Sequence, residues 1–184
     1  MKKSFLDRYA KTNDGRFAID ITTGRVSDLY NNFDKTTPYA KKELDEDLVN
    51  YLIESAREIG NEKFVVRFHF NEYADDKYRN RVTTSVHNYF SYMKELEGRT
   101  LSQLLRNSMV YLVAGIAILF LSVWANSVFP VGNSVLAKVS AEGLTVAAWV
   151  SLWQGVAAFL INWRPYQDRI HLYKGLSGVP VLFE

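Results

Sequence analysis

The 184-residue chain contains no cysteine and only three histidines. Without cysteine, the sequence excludes disulfides, thiolate metal sites, iron–sulfur clusters and cysteine nucleophiles. The three histidines are far apart in sequence, so we expect neither a metal site nor another cofactor. The charge balance also has no dominant sign, since 22 basic residues face 20 acidic ones for a net charge of +2. This balance argues against a nucleic-acid partner, which would require a strongly basic footprint.

Charge is almost absent from residues 107–163, where only Lys138 and Glu142 are charged. Two uncharged apolar runs, 109–129 and 143–163, each span about 20 residues, enough to cross a ~30 Å hydrocarbon layer. Two core helices of a soluble protein are the alternative, but the rest of the chain is too small to cover helices that are apolar all round. The sequence therefore predicts a two-helix transmembrane hairpin, with an outer loop at 130–141.

Basic residues flank this hairpin asymmetrically. Six of them precede the first run or follow the second: Lys94, Arg99, Arg106, Arg164, Arg169 and Lys174. The outer loop carries Lys138 alone. Because basic residues concentrate on the cytoplasmic side of membrane proteins, both termini are predicted to be cytoplasmic.

The cytosolic part reads as a small α+β or α/β domain, residues 16–106, after an N-terminal segment 1–15. Apolar and polar residues alternate over 16–22 and 63–70, which predicts two strands. Between them, an apolar stripe over 45–59 predicts a helix with Asp45 as its N-cap. Strand, helix and strand in this order favour a parallel βαβ unit.

A second helix is predicted from about 75 to 96, interrupted at Gly98 and followed by a new helix that Thr100 caps. That helix enters the first span directly. The cytosolic tail, 164–184, begins amphipathic and ends in a segment, 179–183, with strand character. We expect this segment to add a third strand, because a two-stranded sheet is marginally stable alone.

Polar side chains that meet across the two strands form the first candidate site. Arg67 and His69 share one strand face, and Asp20 lies on the polar face of the other strand. They are interpreted either as a catalytic or sensing cluster or, in preference, as an ordinary cross-strand ion pair. An acidic run at 43–47 could bind a cation. Because it lies at the start of the predicted helix, stabilisation of its negative charge by the helix dipole is the preferred interpretation.

The second candidate site lies in the second span. Gln154 is near its centre, where an amide needs a hydrogen-bond partner. Small residues that would let helices approach closely surround it. The predicted interface comprises Ala147, Ser151, Gln154, Gly155 and Ala158. Packing within the hairpin is one interpretation, and self-association or a pore lining is the other.

Five segments carry a family resemblance. They are FAIDIT, SDLYNNFDKTTPY (Ser27–Tyr39), ELDEDLVNYLIESARE, HNYFSYMKELEGRTLSQLLR and WRPYQDRIHLYKGL. In this order the chain resembles uncharacterised small bacterial membrane proteins with an N-terminal cytosolic α/β region and a two-helix hairpin. The resemblance implies this architecture and a bacterial origin. With the two predicted spans, the expected location is the bacterial inner membrane. It brings no functional residues.

No P-loop, dinucleotide motif, nucleophile elbow or metalloprotease motif occurs. We therefore predict a non-enzymatic, oligomeric membrane protein whose cytosolic domain serves scaffolding or signal relay. Its expected partners are the lipid bilayer, further copies of the chain and a protein in the cytosol or membrane. A channel or membrane-permeabilising effector is the alternative. An enzyme acting on lipid headgroups through Asp168, Arg169 and His171 is a third, less favoured hypothesis.

Overall fold

The computed structural model describes residues 6–31, 43–70, 75–128 and 135–184. A mixed four-stranded sheet and several helices give the chain α+β character. The strands are β1 (Ala10–Lys11), β2 (Phe17–Thr23), β3 (Phe64–Phe70) and β4 (Val181–Phe183). The helices are α1 (Glu46–Ile59), α2 (Asp76–Val128), α3 (Val135–Ala157) and α4 (Arg164–Ser177), with a short 3-10 helix at Val26–Leu29 and a π-helical segment at Ala158–Asn162.

The sheet has the order β1-β2-β3-β4. Strands β2 and β3, which helix α1 connects, pair in parallel. The alternating patterns predicted the two strands, and the order strand, helix, strand predicted their parallel pairing. The expected third strand also forms, since β4 pairs in parallel with β3. Strand β1, antiparallel to β2, lies within the segment that the sequence analysis separated as 1–15. A two-residue strand contains too few residues to show an alternating pattern, so periodicity could not reveal it.

Helix α1 begins and ends where its capping residues predict. The Asp45 carboxylate accepts hydrogen bonds from the backbone N–H groups of Asp47 and Leu48, at 3.0 and 3.4 Å. Gly60 ends the helix with a φ of +71°, a left-handed conformation that favours glycine. The acidic residues Glu46 and Asp47 lie in the first turn, where the helix dipole stabilises negative charge.

One face of the sheet carries the hydrophobic core. The strands contribute Phe17, Ile19, Ile21, Val66 and Phe68, all buried. The helices that pack there contribute Leu52 from α1, Val82, Val86 and Phe90 from α2, and Tyr173 and Leu176 from α4. The amphipathic tail of the sequence is thus a helix whose apolar side belongs to this core.

Two helix boundaries differ from the expectations. Helix α2 passes through Gly98 and Thr100 without interruption, because one glycine costs a helix only about 1 kcal/mol and an unbroken helix keeps its main-chain hydrogen bonds. Helix α3 begins at Val135, so the part of the predicted outer loop from 135 to 141 is helical. The remainder of that loop, and residues 32–39 of the segment Ser27–Tyr39, lie outside the described residues.

The chain divides into two compact units. One comprises Met1–Leu96 and Arg169–Glu184 and contains the sheet. The other comprises Glu97–Asp168 and contains the two apolar helical stretches. Both stretches are long and apolar enough to span a membrane, and only 11% and 17% of their most apolar windows are buried against the rest of the described chain.

Candidate functional site

A four-residue polar network lies on the sheet face opposite the core. The Arg67 guanidinium donates to both carboxylate oxygens of Asp20, from Nε at 2.6 Å and from Nη2 at 3.0 Å. Its Nη1 donates to the Glu184 carboxylate at 3.1 Å. His69 Nε2 lies 3.5 Å from Asp20 Oδ1. The structure therefore brings together all three predicted residues of this cluster and adds Glu184.

The register of the parallel strands positions these groups. Asp20 is the direct partner of Arg67 across β2 and β3, and the N–H of Glu184 donates to the carbonyl of Phe68 at the end of β4. Because strands alternate their side chains between faces, Asp20, Arg67 and His69 point away from the core. Glu184 was missed because no pattern in the sequence reveals the register of β4 on β3.

Electrostatics in the network favour the charged forms. The hydrogen bonds and positive charge of Arg67 hold the pKa of Asp20 below its ordinary value, against the opposing effect of burial. The same contacts raise the pKa of Arg67 further above its ordinary range. The side chains of Arg67 and Asp20 are 20% and 39% exposed. This geometry is that of a satisfied, bidentate cross-strand ion pair.

The histidines and carboxylates of the described residues do not form a metal site. Within the described ranges, no group of three or more His, Asp or Glu side chains could hold a metal ion. His87 Nε2 lies 2.7 Å from the carbonyl oxygen of Val179, a contact between α2 and the segment that leads into β4. His171 is exposed on α4.

The second candidate site is the contact between α2 and α3, the hairpin seam. A Cβ atom on Gly115 would lie 2.9 Å from Leu152 Cγ and 3.1 Å from the carbonyl oxygen of Ala148. Gly155 makes the reciprocal contact with α2, since its Cβ would lie 3.1 Å from the carbonyl oxygen of Ser108. Each helix thus presents a glycine to the other. The two backbones approach more closely there than any side chain would allow.

The seam has a seven-residue spacing. The buried positions are Leu101, Ser108, Gly115 and Ser122 on α2, and Ala148 and Gly155 on α3. The repeat of seven on α2, with the same interval between Ala148 and Gly155 on α3, is typical of left-handed coiled-coil packing. All but Leu101 are small, the residue type that close packing of apolar helices requires.

Hydroxyl groups in the seam are hydrogen-bonded. Ser122 Oγ lies 3.4 Å from Thr145 Oγ1, which links the two helices. Thr145 also donates to the carbonyl of Ala141 at 3.0 Å, and Ser108 donates to the carbonyl of Leu104 at 2.8 Å. The seam is therefore closed by small side chains and satisfied hydroxyl groups.

The five residues predicted for a helix interface divide between the seam and the outer surface. Gly155 and Ala158 are buried and Ser151 is half-buried. Ala147 and Gln154 are exposed within the single chain. Four-residue steps from Gly155 reach Ser151 and Ala147, whereas the seven-residue step of the seam reaches Ala148.

Outside the seam, both helices expose large apolar side chains. On α2, Phe120 and Val123 are 73% and 68% exposed, and on α3, Trp149 and Trp153 are 65% and 69% exposed. Gln154 is exposed among these side chains. These exposed side chains are consistent with membrane-spanning helices, which both stretches are long and apolar enough to form.

Comparisons with known proteins return no match to a family model, to a curated protein or to a solved structure. The family resemblance described above stays a prediction from its motifs.

Proposed function

We propose that the chain is a two-span integral membrane protein of the bacterial inner membrane. In this proposal the sheet-containing unit lies in the cytosol and acts as a non-enzymatic scaffold or signal relay, and the protein assembles as a homo-oligomer. The observation that carries it is the exposure of large apolar side chains outside the seam, along the apolar stretches of α2 and α3.

The surface of these helices supports lipid as their surroundings. At about 25 cal/mol for each Å² of apolar surface, exposed side chains as large as Phe120 and Trp153 each add an unfavourable term in water. In the hydrocarbon layer that cost disappears. The backbone groups are meanwhile satisfied within the helices, as a bilayer requires.

The asymmetry of basic residues supports cytosolic termini. Arg106 precedes the apolar stretch of α2 and Arg164 follows that of α3, whereas Lys138, at the other end, is followed four residues later by Glu142. Basic residues near span ends favour the cytoplasmic side. The order of features shared with small bacterial membrane proteins supports the same topology.

The helices that join the apolar stretches to the sheet core support a signal relay. The first apolar stretch belongs to the same helix, α2, whose residues Val82, Val86 and Phe90 lie in the sheet core. The second is followed, after Trp163, by α4, which contributes Leu176 to that core. A displacement of either span would therefore act on an element that packs directly against the sheet.

Membrane insertion and topology have a direct test. The full chain expressed in bacteria should stay with the membrane pellet after alkaline carbonate extraction. A reporter that is active only outside the cytoplasm should stay silent at the C-terminus and become active when inserted at 130–134. Release by carbonate, or an active C-terminal reporter, would overturn the proposal.

Gln154 supports self-association. Its amide is both donor and acceptor, so two copies can satisfy each other where water is absent. In lipid nanodiscs, Gln154→Leu should shift the oligomer toward monomer in native mass spectrometry, whereas Val150→Leu on the same helix should not. A wild-type protein that is strictly monomeric would contradict the oligomer.

A channel gated by the sheet unit is the second candidate, favoured by one observation. Gln154 is exposed among apolar side chains, and uncharged spans with a single central amide can line a narrow pore. Conductance in planar bilayers that Gln154→Leu alters would favour the channel. Silence across voltage and tension would favour the scaffold.

A further inference from the structure

The end of the hairpin that carries Arg106 and Arg164 has an excess of basic residues. In the sequence, 97–107 and 158–169 contain four arginines, at 99, 106, 164 and 169, and two acidic residues, Glu97 and Asp168. Arg99, Arg106 and Arg164 are exposed. The opposite end of the hairpin, 129–142, has no such excess, because it carries one basic residue, Lys138, and one acidic residue, Glu142.

The antiparallel seam places these residues at the same end of the unit. Gly155 lies against Ser108 and Leu112. At about 1.5 Å per residue, Arg106 lies ~6 Å and Arg164 ~13 Å beyond this contact in the same direction along the helix axes. The cations on the two helices are therefore within about two helical turns of each other along the axis.

Neutral donors are next to these arginines in the sequence. Asn107 follows Arg106 and is exposed, and Asn162 is exposed at the end of the π-helical segment. Trp163 is half-buried immediately before Arg164, and its indole N–H is a donor only. Guanidinium, amide and indole N–H groups together match the oxygens of a phosphodiester.

Apolar surface begins directly beside these donors. Val110 is 63% exposed one turn after Arg106, and Ile161 is 62% exposed three residues before Arg164. A ligand that fits both surfaces has an anionic head and apolar chains. A free anion would leave the apolar surface uncovered.

We propose that this end of the hairpin binds the headgroup of an anionic phospholipid, with Arg106 and Arg164 as its cationic contacts. The inference rests on the proposed membrane insertion and adds a ligand to it. The acyl chains lie along the exposed apolar side chains of α2 and α3. The lipid phosphate accepts hydrogen bonds from the arginines.

The test uses the full chain in detergent, titrated with phosphatidylglycerol or phosphatidylcholine and followed by native mass spectrometry and thermal unfolding. Wild-type protein should retain phosphatidylglycerol in preference and gain thermal stability from it. Each of Arg106→Gln and Arg164→Gln should weaken phosphatidylglycerol binding about fivefold, which corresponds to ~1 kcal/mol. Lys138→Gln, a charge-matched change at the other end, should leave binding unchanged.

Several results would overturn the headgroup site. These are equal retention of the two lipids, equal weakening by Lys138→Gln, or the same thermal stabilisation by inorganic phosphate alone. Circular dichroism and gel filtration establish that the variants fold. Insertion into nanodiscs of pure phosphatidylcholine tests the proposed membrane function separately, so a protein that inserts there without lipid preference contradicts the headgroup site alone.

Discussion

Gly155 of α3 lies so close to Ser108 of α2 that a Cβ atom on the glycine would be 3.1 Å from the serine carbonyl oxygen. The Leu112 side chain would lie closer still, and the serine oxygen is a backbone atom, which cannot move away by a change of rotamer. Gly115 is in the reciprocal position against Ala148, with 3.1 Å between its would-be Cβ and that carbonyl oxygen. The separation between the two helices is therefore set by glycine at both contacts.

Replacing Gly155 with isoleucine is expected to open the hairpin seam. Overpacking of a well-packed contact costs typically 1–3 kcal/mol. The matched control is Gly143→Ile on the same helix, where an added Cβ meets no atom within 4 Å. The stability of each full-length variant against detergent-induced unfolding should fall for Gly155→Ile and stay near the wild-type value for Gly143→Ile. Equal losses would mean that helix propensity, and not the seam, explains the effect.

The Asp20–Arg67 pair predicts a dependence of sheet stability on acid pH. Because Arg67 lowers the pKa of Asp20 in the folded protein, the carboxylate contributes stability above its unfolded pKa of about 3.9. That contribution is lost as pH falls through the lower, folded pKa. Asp20 is 39% exposed, so solvent screening keeps the contribution below about 1 kcal/mol.

Amide hydrogen exchange in β3 measures this contribution. Asp20→Asn should accelerate exchange in β3 at pH 6, and the difference from wild type should shrink below pH 4. Asp7→Asn is the control for a general effect of removing a carboxylate, because Asp7 is an exposed position of the same unit. A difference for Asp20→Asn that is the same at both pH values would contradict the role of the ion pair.

Sequence periodicity predicted much of the sheet unit. A period of two identified β2 and β3, and the parallel βαβ connection then placed Asp20 beside Arg67. Strand β1 and the Glu184 contact depend on tertiary pairing, which two- or three-residue strands do not encode in a local pattern. The helix was predicted to stop at Gly98 because glycine weakens a helix, but its small cost does not decide the outcome.

In the hairpin, spacing predicted the kind of interface but not its centre. A four-residue spacing from Gly155 leads to Ala147, and a seven-residue spacing leads to Ala148. Both spacings therefore place Gly155 in the interface but differ in the alanine that accompanies it. Only the position of α2 distinguishes them, because Gly115 lies against Ala148. Gln154 consequently lies outside the intramolecular seam.

Leu176→Ala tests whether the end of α4 is part of the sheet core. Leu176 is fully buried, and truncation of such a leucine costs typically 2–5 kcal/mol through lost burial and a residual cavity. Lys174→Ala, an exposed position on the same helix, should have little effect. Hydrogen exchange in β3 and β4 should accelerate strongly only in the leucine variant. Unchanged exchange would mean that the tail contributes no stability to the sheet.

Substitutions at Asp45 test whether the acidic run at 43–47 caps helix α1 or binds a cation. Its carboxylate accepts from the N–H groups of Asp47 and Leu48, so Asp45→Ala should destabilise α1 by about 1 kcal/mol. Asp45→Asn should keep most of that stability, because asparagine is an equally good N-cap and only the charge is lost. A cation site predicts a different order, with Asn and Ala equally impaired and wild type stabilised by added Mg²⁺ or Ca²⁺. Thermal unfolding of the three proteins and hydrogen exchange in α1, each measured with and without each cation, distinguish the two roles. A gain in thermal stability on adding a cation that both variants abolish would contradict the capping role.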